Sequence, residues 1–241
     1  MLDRYGPWAV ITGASEGTGR EFARQLAGDG ISLLLVARRQ AALDALAEEL
    51  KSEFGVDART ASIDLSLPDA GTQIAQAAEG LEIGLYIANA GADPHSSKFL
   101  DLDIATWRDL TQRNAVTTME CCHHFGRAMR ERGRGGIILV NSFACYNGAD
   151  FMAIYSASKA FQLCLGDALW SELKPHGVDV LSLVLSRTDT PGFRRMLTDK
   201  GFPVSADLAP SEEVARAGLA NLANGPVFNW GQDRDGPQLA P

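Results

Sequence analysis

The chain of 241 residues has no apolar run near the roughly 18 residues that a membrane-spanning helix needs, so insertion into a bilayer is not expected of it. Cysteine is scarce. Cys121, Cys122, Cys145 and Cys164 show no zinc or redox spacing, and the adjacent Cys121 and Cys122 suit packing as small apolar groups better than bonding. His123 and His124 follow them, but sequential residues point about 100° apart on a helix, so a metal site is not expected. Positive charge is also in deficit. The formal net charge of −8 disfavours non-specific nucleic-acid binding. LDRY at 2–5 does not open a secretory signal, and a cytoplasmic location is expected. There is no repeat, low-complexity tract or linker either. With 46% hydrophobic and 22% charged residues, the composition is that of an ordinary globular protein. Because α/β folds of about 200–250 residues routinely form one unit, residues 1–241 are expected to be a single domain.

What is present begins at the N-terminus. The apolar run Trp8 to Ile11 suits a buried strand, TGASEGTG at 12–19 follows it, and the amphipathic REFARQLAGDG at 20–30 comes next. Strand, glycine-rich turn and helix are the context that dinucleotide binding requires. Glycine lets the backbone turn sharply and approach a ligand, while a helix N-terminus offers free N–H groups and partial positive charge to a phosphate. Gly13, Ser15, Gly17, Thr18 and Gly19 are therefore candidate cofactor contacts. The next strand, ISLLLVA at 31–37, ends at Arg38 and Arg39, where an NAD site carries a carboxylate and an NADP site an arginine. A guanidinium presents a planar donor fork to phosphate, so the pair favours NADP(H), with NAD(H) still open. Two solvated arginines at a helix start are the alternative, and Glu16 in the glycine turn would repel a phosphate.

A second constellation lies in FMAIYSASKAF at 151–161. Tyr155 and Lys159 are four residues apart and share one helical face, thirteen residues beyond Ser142. A phenol with a pKa of about 10 is a poor acid or base at neutral pH, but a fixed cation beside it favours the phenolate. A hydroxyl such as that of Ser142 would hold the oxygen of a carbonyl or alcohol next to it. The plainer alternative is a helix with a half-buried tyrosine and a surface lysine.

TGASEGTG at 12–19, ANAG at 88–91, Asn114, Ser142 and YSASK at 155–159 together resemble the short-chain dehydrogenase/reductase family over about residues 6–192. The resemblance implies that Tyr155 is the general acid/base, that Ser142 orients the substrate oxygen, and that Lys159 binds the nicotinamide ribose and lowers the tyrosine pKa. It also implies that Asn114 holds a water linking the lysine to solvent, that Asp64 contacts the adenine, and that Asn89 braces the sheet beside the cofactor. Gly91, Thr188 and Thr190 join the implied cofactor contacts. A homodimer or homotetramer is implied too. The chain departs from the family at Leu185-Ser186, where Pro-Gly is usual, at Thr18, at Ala88, and in the C-terminal stretch 227–241, which lacks the usual Gly-Gly. Hydride exchange between NADP(H) and a small-molecule carbonyl or alcohol is the expected activity. A non-catalytic dinucleotide-binding regulator and a related epimerase or enoyl reductase are the alternatives.

The remaining pattern alternates strand and helix. Helices are predicted near 40–54 and 67–79, strands at 56–61, 83–88 and 135–142, and one long helix from 103 to 132. The Tyr155 helix is predicted to reach Lys174, a sixth strand to cover 178–185, and a further helix to open at Ser211. This alternation predicts an α/β fold, a Rossmann-type doubly wound parallel sheet with helices on both faces. Ala144, Cys145, Phe151, Phe193, Met196 and Leu197 are the apolar candidates for a substrate pocket, with Asp93 and His95 as polar candidates. The connection 192–210 is long enough for a lid.

Overall fold

In the computed structural model, which describes residues 1–204 and 207–231, the chain opens with a one-turn helix α1 (Leu2–Tyr5) and strand β1 (Trp8–Thr12). Helix α2 (Gly17–Gly28), β2 (Ser32–Ala37), α3 (Gln40–Phe54), β3 (Ala58–Ser62), α4 (Ala70–Ala77) and β4 (Ile83–Ala88) complete the first half. The second half contains α5 (Ile104–Thr111), α6 (Thr117–Arg132), β5 (Gly135–Ser142), α7 (Ala153–Leu173) and β6 (Val178–Leu185). After it come β7 (Thr188–Asp189), α8 (Pro191–Asp199), β8 (Ala209–Pro210), α9 (Ser211–Asn221) and β9 (Val227–Asn229).

Seven strands form one parallel sheet in the order β3-β2-β1-β4-β5-β6-β9. Both faces are covered, and the strand side chains divide by the period of two that a pleated strand imposes. Ala9, Ile11, Leu33 and Leu35 face one core with Phe22, Leu26, Leu46 and Val214, whereas Val10, Leu34 and Val36 face the other with Ile74, Phe125 and Met129. The first core holds α2, α3 and α9 against the sheet, and the second holds α4 and α6. The order reverses between β1 and β4. In an open α/β sheet, that switch point marks the crevice where ligands bind, beyond the carboxyl ends of the strands.

Several element bounds differ from the sequence reading. The single long helix predicted for 103–132 is two helices, α5 and α6, joined by a π-helical segment Gln112–Val116 that carries Asn114. A π turn inserts a residue without disturbing the apolar pattern on either side, so periodicity does not reveal it. The third strand starts two residues later than expected and α4 is confined to Ala70–Ala77. The 192–210 connection opens with α8, and β7 pairs with β8 in a small second sheet. Within the C-terminal stretch 227–241, β9 adds a seventh strand; residues 232–241, and residues 205–206 of the connection, lie outside the described residues.

Helix α2 bears the glycine turn, and Phe22, fully buried between the sheet and Gly218 of α9, fixes its position. Truncating a buried aromatic removes contact area and leaves a cavity, so Phe22→Ala is expected to cost about 3–5 kcal/mol. A urea unfolding midpoint unchanged from the parent chain would contradict this packing.

Candidate active site

The glycine turn sits at the carboxyl end of β1. Gly13 (φ +70°) and Gly17 (φ +55°) both adopt the left-handed backbone that side chains disfavour. A Cβ at Gly13 would lie 2.9 Å from the Asn89 side-chain nitrogen, and one at Gly19 would collide with the Gly13 carbonyl. Asn89 donates to the carbonyls of Thr12 and Gly13, both at 3.1 Å, stitching the end of β4 to the turn. Helix α2 begins at Gly17 without a side-chain cap from Glu16, so its first-turn N–H groups face the crevice with no side-chain acceptor. Thr18 is buried within that first turn. The cradle of bare backbone and uncapped donors fits a dinucleotide pyrophosphate.

Beyond β2, Arg38 and Arg39 are exposed. Arg39 bonds Glu16 Oε2 at 2.5 Å and approaches Ser15 Oγ at 3.5 Å. Glu16 also pairs with Arg195 of α8, and burial opposed by these two guanidiniums leaves its carboxyl below the ordinary range. The predicted repulsion between Glu16 and a phosphate is thereby offset, because two cations compensate its charge. Asp64 accepts from the Ser66 backbone at 3.0 Å and hydroxyl at 2.8 Å; with Arg38 and Arg113 nearby, these bonds hold its carboxyl low.

The chemical end of the crevice is built on β5 and α7. Ser142 is the last residue of β5, and its hydroxyl accepts from Ala144 N at 3.3 Å. Lys159 is buried; its Nζ donates to the Val140 carbonyl at 2.8 Å and to Gln162 Oε1 at 3.1 Å, and lies 5.9 Å from the centre of the Tyr155 ring. Asn141 adds a bond from its side-chain nitrogen to the Lys159 carbonyl at 3.1 Å. The loop after β4 passes close above, since a Cβ on Gly91 would come within 2.9 Å of Nζ. Only glycine leaves that ammonium room. Asn114 is fully buried, donates to Ser158 Oγ at 3.1 Å, and has a side-chain oxygen without a protein partner.

Burial dominates the electrostatics. It pushes the Lys159 ammonium down to about 8, with Cys145 opposing, and it pushes the Tyr155 phenol up. Hydrogen bonding with Ser142 pulls the phenol back, while Asp93 and Cys145 push it higher. The expected lowering of Tyr155 by Lys159 does not emerge in the chain alone: the ammonium spends its bonds on Val140 and Gln162, and desolvation is the largest influence on the phenol.

Thr190 caps α8 by accepting from Phe193 N at 3.1 Å, and its methyl group packs against Gly17. Thr188 instead turns its hydroxyl to the Ser186 carbonyl at 3.1 Å and is nearly buried beneath the loop. Phe193, Met196 and Leu197 are half-buried on α8, while Cys145 is buried and Phe151 is exposed with φ +63°. Sequence reasoning missed Gln162, fully buried beside Lys159, and Arg195, which joins α8 to the glycine turn. The Asn114 and Glu16 partners lie 48 and 179 positions away, and although Gln162 stands three residues after Lys159 on one helical face, that spacing does not reveal that the face is buried. Among the described residues no helix is long and apolar enough to cross a membrane, and no group of three or more His, Cys, Asp or Glu gathers as a metal site.

The family model described as short chain dehydrogenase matches residues 7–201. A 7beta-hydroxysteroid dehydrogenase of Mediterraneibacter gnavus is 33% identical over 191 residues, covering 79% of this chain and 72% of that protein. A very-long-chain 3-oxoacyl-CoA reductase of Neurospora crassa is 40% identical over 180 residues, covering 73% of this chain and 54% of that one. Among solved structures, a short-chain dehydrogenase from Sphingobium yanoikuyae in complex with NADPH superposes with a TM-score of 0.84 at 28% identity, covering 93% of this chain and 87% of that one. With the glycine crevice, the β5 serine and the α7 tyrosine and lysine in one place, the chain belongs to the short-chain dehydrogenase family and is an oxidoreductase of CH–OH and C=O groups.

Proposed function

We propose that this protein exchanges hydride between NADP(H) and a bulky, hydrophobic ketone or secondary alcohol, with Tyr155 as the general acid/base. The observation that carries the reading is the buried Lys159 ammonium 5.9 Å from the Tyr155 ring, on the same face of α7 and beside Ser142 at the end of β5. When bound, the nicotinamide supplies or accepts the hydride at its C4 carbon. Ser142 donates to the substrate oxygen and fixes it within reach of the phenol. Tyr155 then gives that oxygen its proton in reduction and takes it back in oxidation. Lys159, held by Val140 and Gln162, contributes fixed positive charge that favours the phenolate once the crevice is filled and water excluded. Asn114 anchors the segment that packs behind the lysine.

The uncapped start of α2 is suited to the pyrophosphate, while Gly91, Asn89, Thr188 and Thr190 lie along the path to the nicotinamide. Arg38 and Arg39 favour the 2′-phosphate of NADP(H). Because Glu16 keeps Arg195 as a second partner, Arg39 is free to turn toward a phosphate without stranding an unpaired carboxylate. The substrate class rests on relatives named for hydroxysteroid and very-long-chain 3-oxoacyl substrates, and on Phe193, Met196 and Leu197, spaced along α8 beside the crevice. Residues 1–241 act as one domain in this reading, in the cytoplasm. Met119 on α6 and Phe161 on α7 leave apolar side chains exposed, in keeping with a homodimer or homotetramer.

Tyr155→Phe is expected to lower kcat by roughly 10²–10⁴-fold with NADPH affinity nearly unchanged, measured by nicotinamide absorbance on a panel of bulky ketones. Retained turnover would refute the assignment. Arg38→Asp should weaken NADPH far more than NADH, since it replaces a cation with a charge that repels phosphate; equal loss for both coenzymes in fluorescence titrations would return Arg38 to the surface. The charged form of Lys159 is the active one, and in the free chain it is lost as pH rises through about 8. kcat/KM for NADPH, which reports groups of the free enzyme, is therefore expected to fall on the alkaline side of that value. A profile flat to the pH of alkaline unfolding would show that the ammonium is not required.

A further inference from the structure

The helix bearing Tyr155 and Lys159 carries one more polar side chain with no exposure. Gln162 stands three residues after Lys159, and both ends of its carboxamide are engaged. Nε2 donates to the Asn114 carbonyl at 2.5 Å and approaches Thr118 Oγ1 at 3.4 Å, while Oε1 accepts from Lys159 Nζ at 3.1 Å. Only one orientation of the amide makes these contacts, because an ammonium can only donate and a carbonyl can only accept. The carbonyl it meets belongs to the π-helical segment, so one side chain joins three elements: α7, α6 and the Gln112–Val116 turn.

We propose that Gln162 is a positioning residue for the reaction assigned above, holding the Lys159 ammonium near Tyr155 and tying it to the Asn114 segment. Family resemblance assigns the link between lysine and asparagine to a water; here a side chain makes direct hydrogen bonds to both. Two fixed acceptors, the Val140 carbonyl and Gln162 Oε1, serve an ammonium that burial would otherwise drive to its neutral form. Removing one of them leaves the charge with a single fixed acceptor. The titratable groups that face this cluster are Tyr155 on the same helix, Cys145 after β5, and Asp93 from the loop after β4, which faces the tyrosine. None of them bonds Nζ. The contribution of Gln162 is thus separable from theirs, and a carboxamide that merely filled space would not affect the ammonium.

The test is a titration of the lysine side chains by carbon-detected NMR on the full chain without coenzyme. The chain has five lysines, and the Lys159 signal is identified by its loss in Lys159→Met. In Gln162→Leu, the Lys159 midpoint is expected to fall by about one pH unit, a roughly tenfold gain in acidity, as one bond to a charged group is lost. In Gln162→Glu, which gives up the donor to the Asn114 carbonyl but sets a negative charge beside Nζ, the midpoint should rise. The alkaline limb of kcat/KM should move in the same two directions. Gln162→Met replaces the leucine variant if that one fails to fold, with the same fall expected. An unmoved midpoint in the folded apolar variant would overturn the proposal, even with turnover intact. Shifted midpoints in a chain that reduces no ketone would keep the role of Gln162 and overturn the reaction instead.

Discussion

One buried charge organises the site. The Lys159 ammonium has almost no contact with solvent, and an unpaired ion in that position would cost several kcal/mol or neutralise itself. The surrounding elements respond to it. The Val140 carbonyl near the end of β5 and the Gln162 amide accept from it, Asn141 holds its backbone, and Gly91 leaves room where any Cβ would press on Nζ. The position of the β4 loop, the end of β5 and the face that α7 presents thus share one constraint. Burial still lowers the ammonium to about 8, which keeps its protonation state sensitive to what enters the crevice. An empty crevice favours neutral Tyr155; in the proposed complex a bound coenzyme would exclude water from around the phenol and the cation and so strengthen their attraction.

The coenzyme end follows a different logic. There the proposed contacts are made by the backbone, and side chains manage charge around it. Gly13, Gly17 and Gly19 keep the turn clear, and the first N–H groups of α2 are left without a cap. Glu16 lies between Arg39 and Arg195, so a carboxylate within the turn is neutralised by β2's exit on one side and α8 on the other. Since α8 is capped by Thr190 and carries the apolar Phe193, Met196 and Leu197, the same ion pairs connect the end of β2 and the glycine turn with those side chains. At exposed positions such pairs stabilise little by themselves. Their value here lies in giving Glu16 two partners, so that it keeps Arg195 when Arg39 turns away.

Much of this was legible in the residues. Strand, glycine turn and helix at 8–28 could be read because glycine spacing and apolar runs are local signals, and the i,i+4 spacing of Tyr155 and Lys159 placed them on one face without further information. Parallel strands buried on both faces were visible as near-continuous apolar runs in 32–37 and 83–88. The π-helical turn at Asn114 was not, since it inserts a residue into the hydrogen-bond ladder while leaving the apolar stripe intact. Strand β9 was hidden because it is short and only half-buried. Nothing in the sequence singles out Gln162, because its partners are a carbonyl 48 positions away and a lysine whose burial no spacing reveals. The upward shift of Tyr155 in the chain alone was hidden for the same reason: charge proximity can be read from spacing, whereas desolvation depends on the surrounding fold.

The proposed proton transfer requires Lys159 to make Tyr155 an acid when the coenzyme is present. Tyrosinate absorbance followed during pH titration of the NADP⁺ complex tests this, because burial pushes Tyr5, Tyr86 and Tyr146, the other three tyrosines, upward and out of the way. One tyrosine is predicted to ionise well below the ordinary phenol value of about 10 in the wild-type complex, and none in Lys159→Met. The same midpoint with and without the lysine would contradict the account.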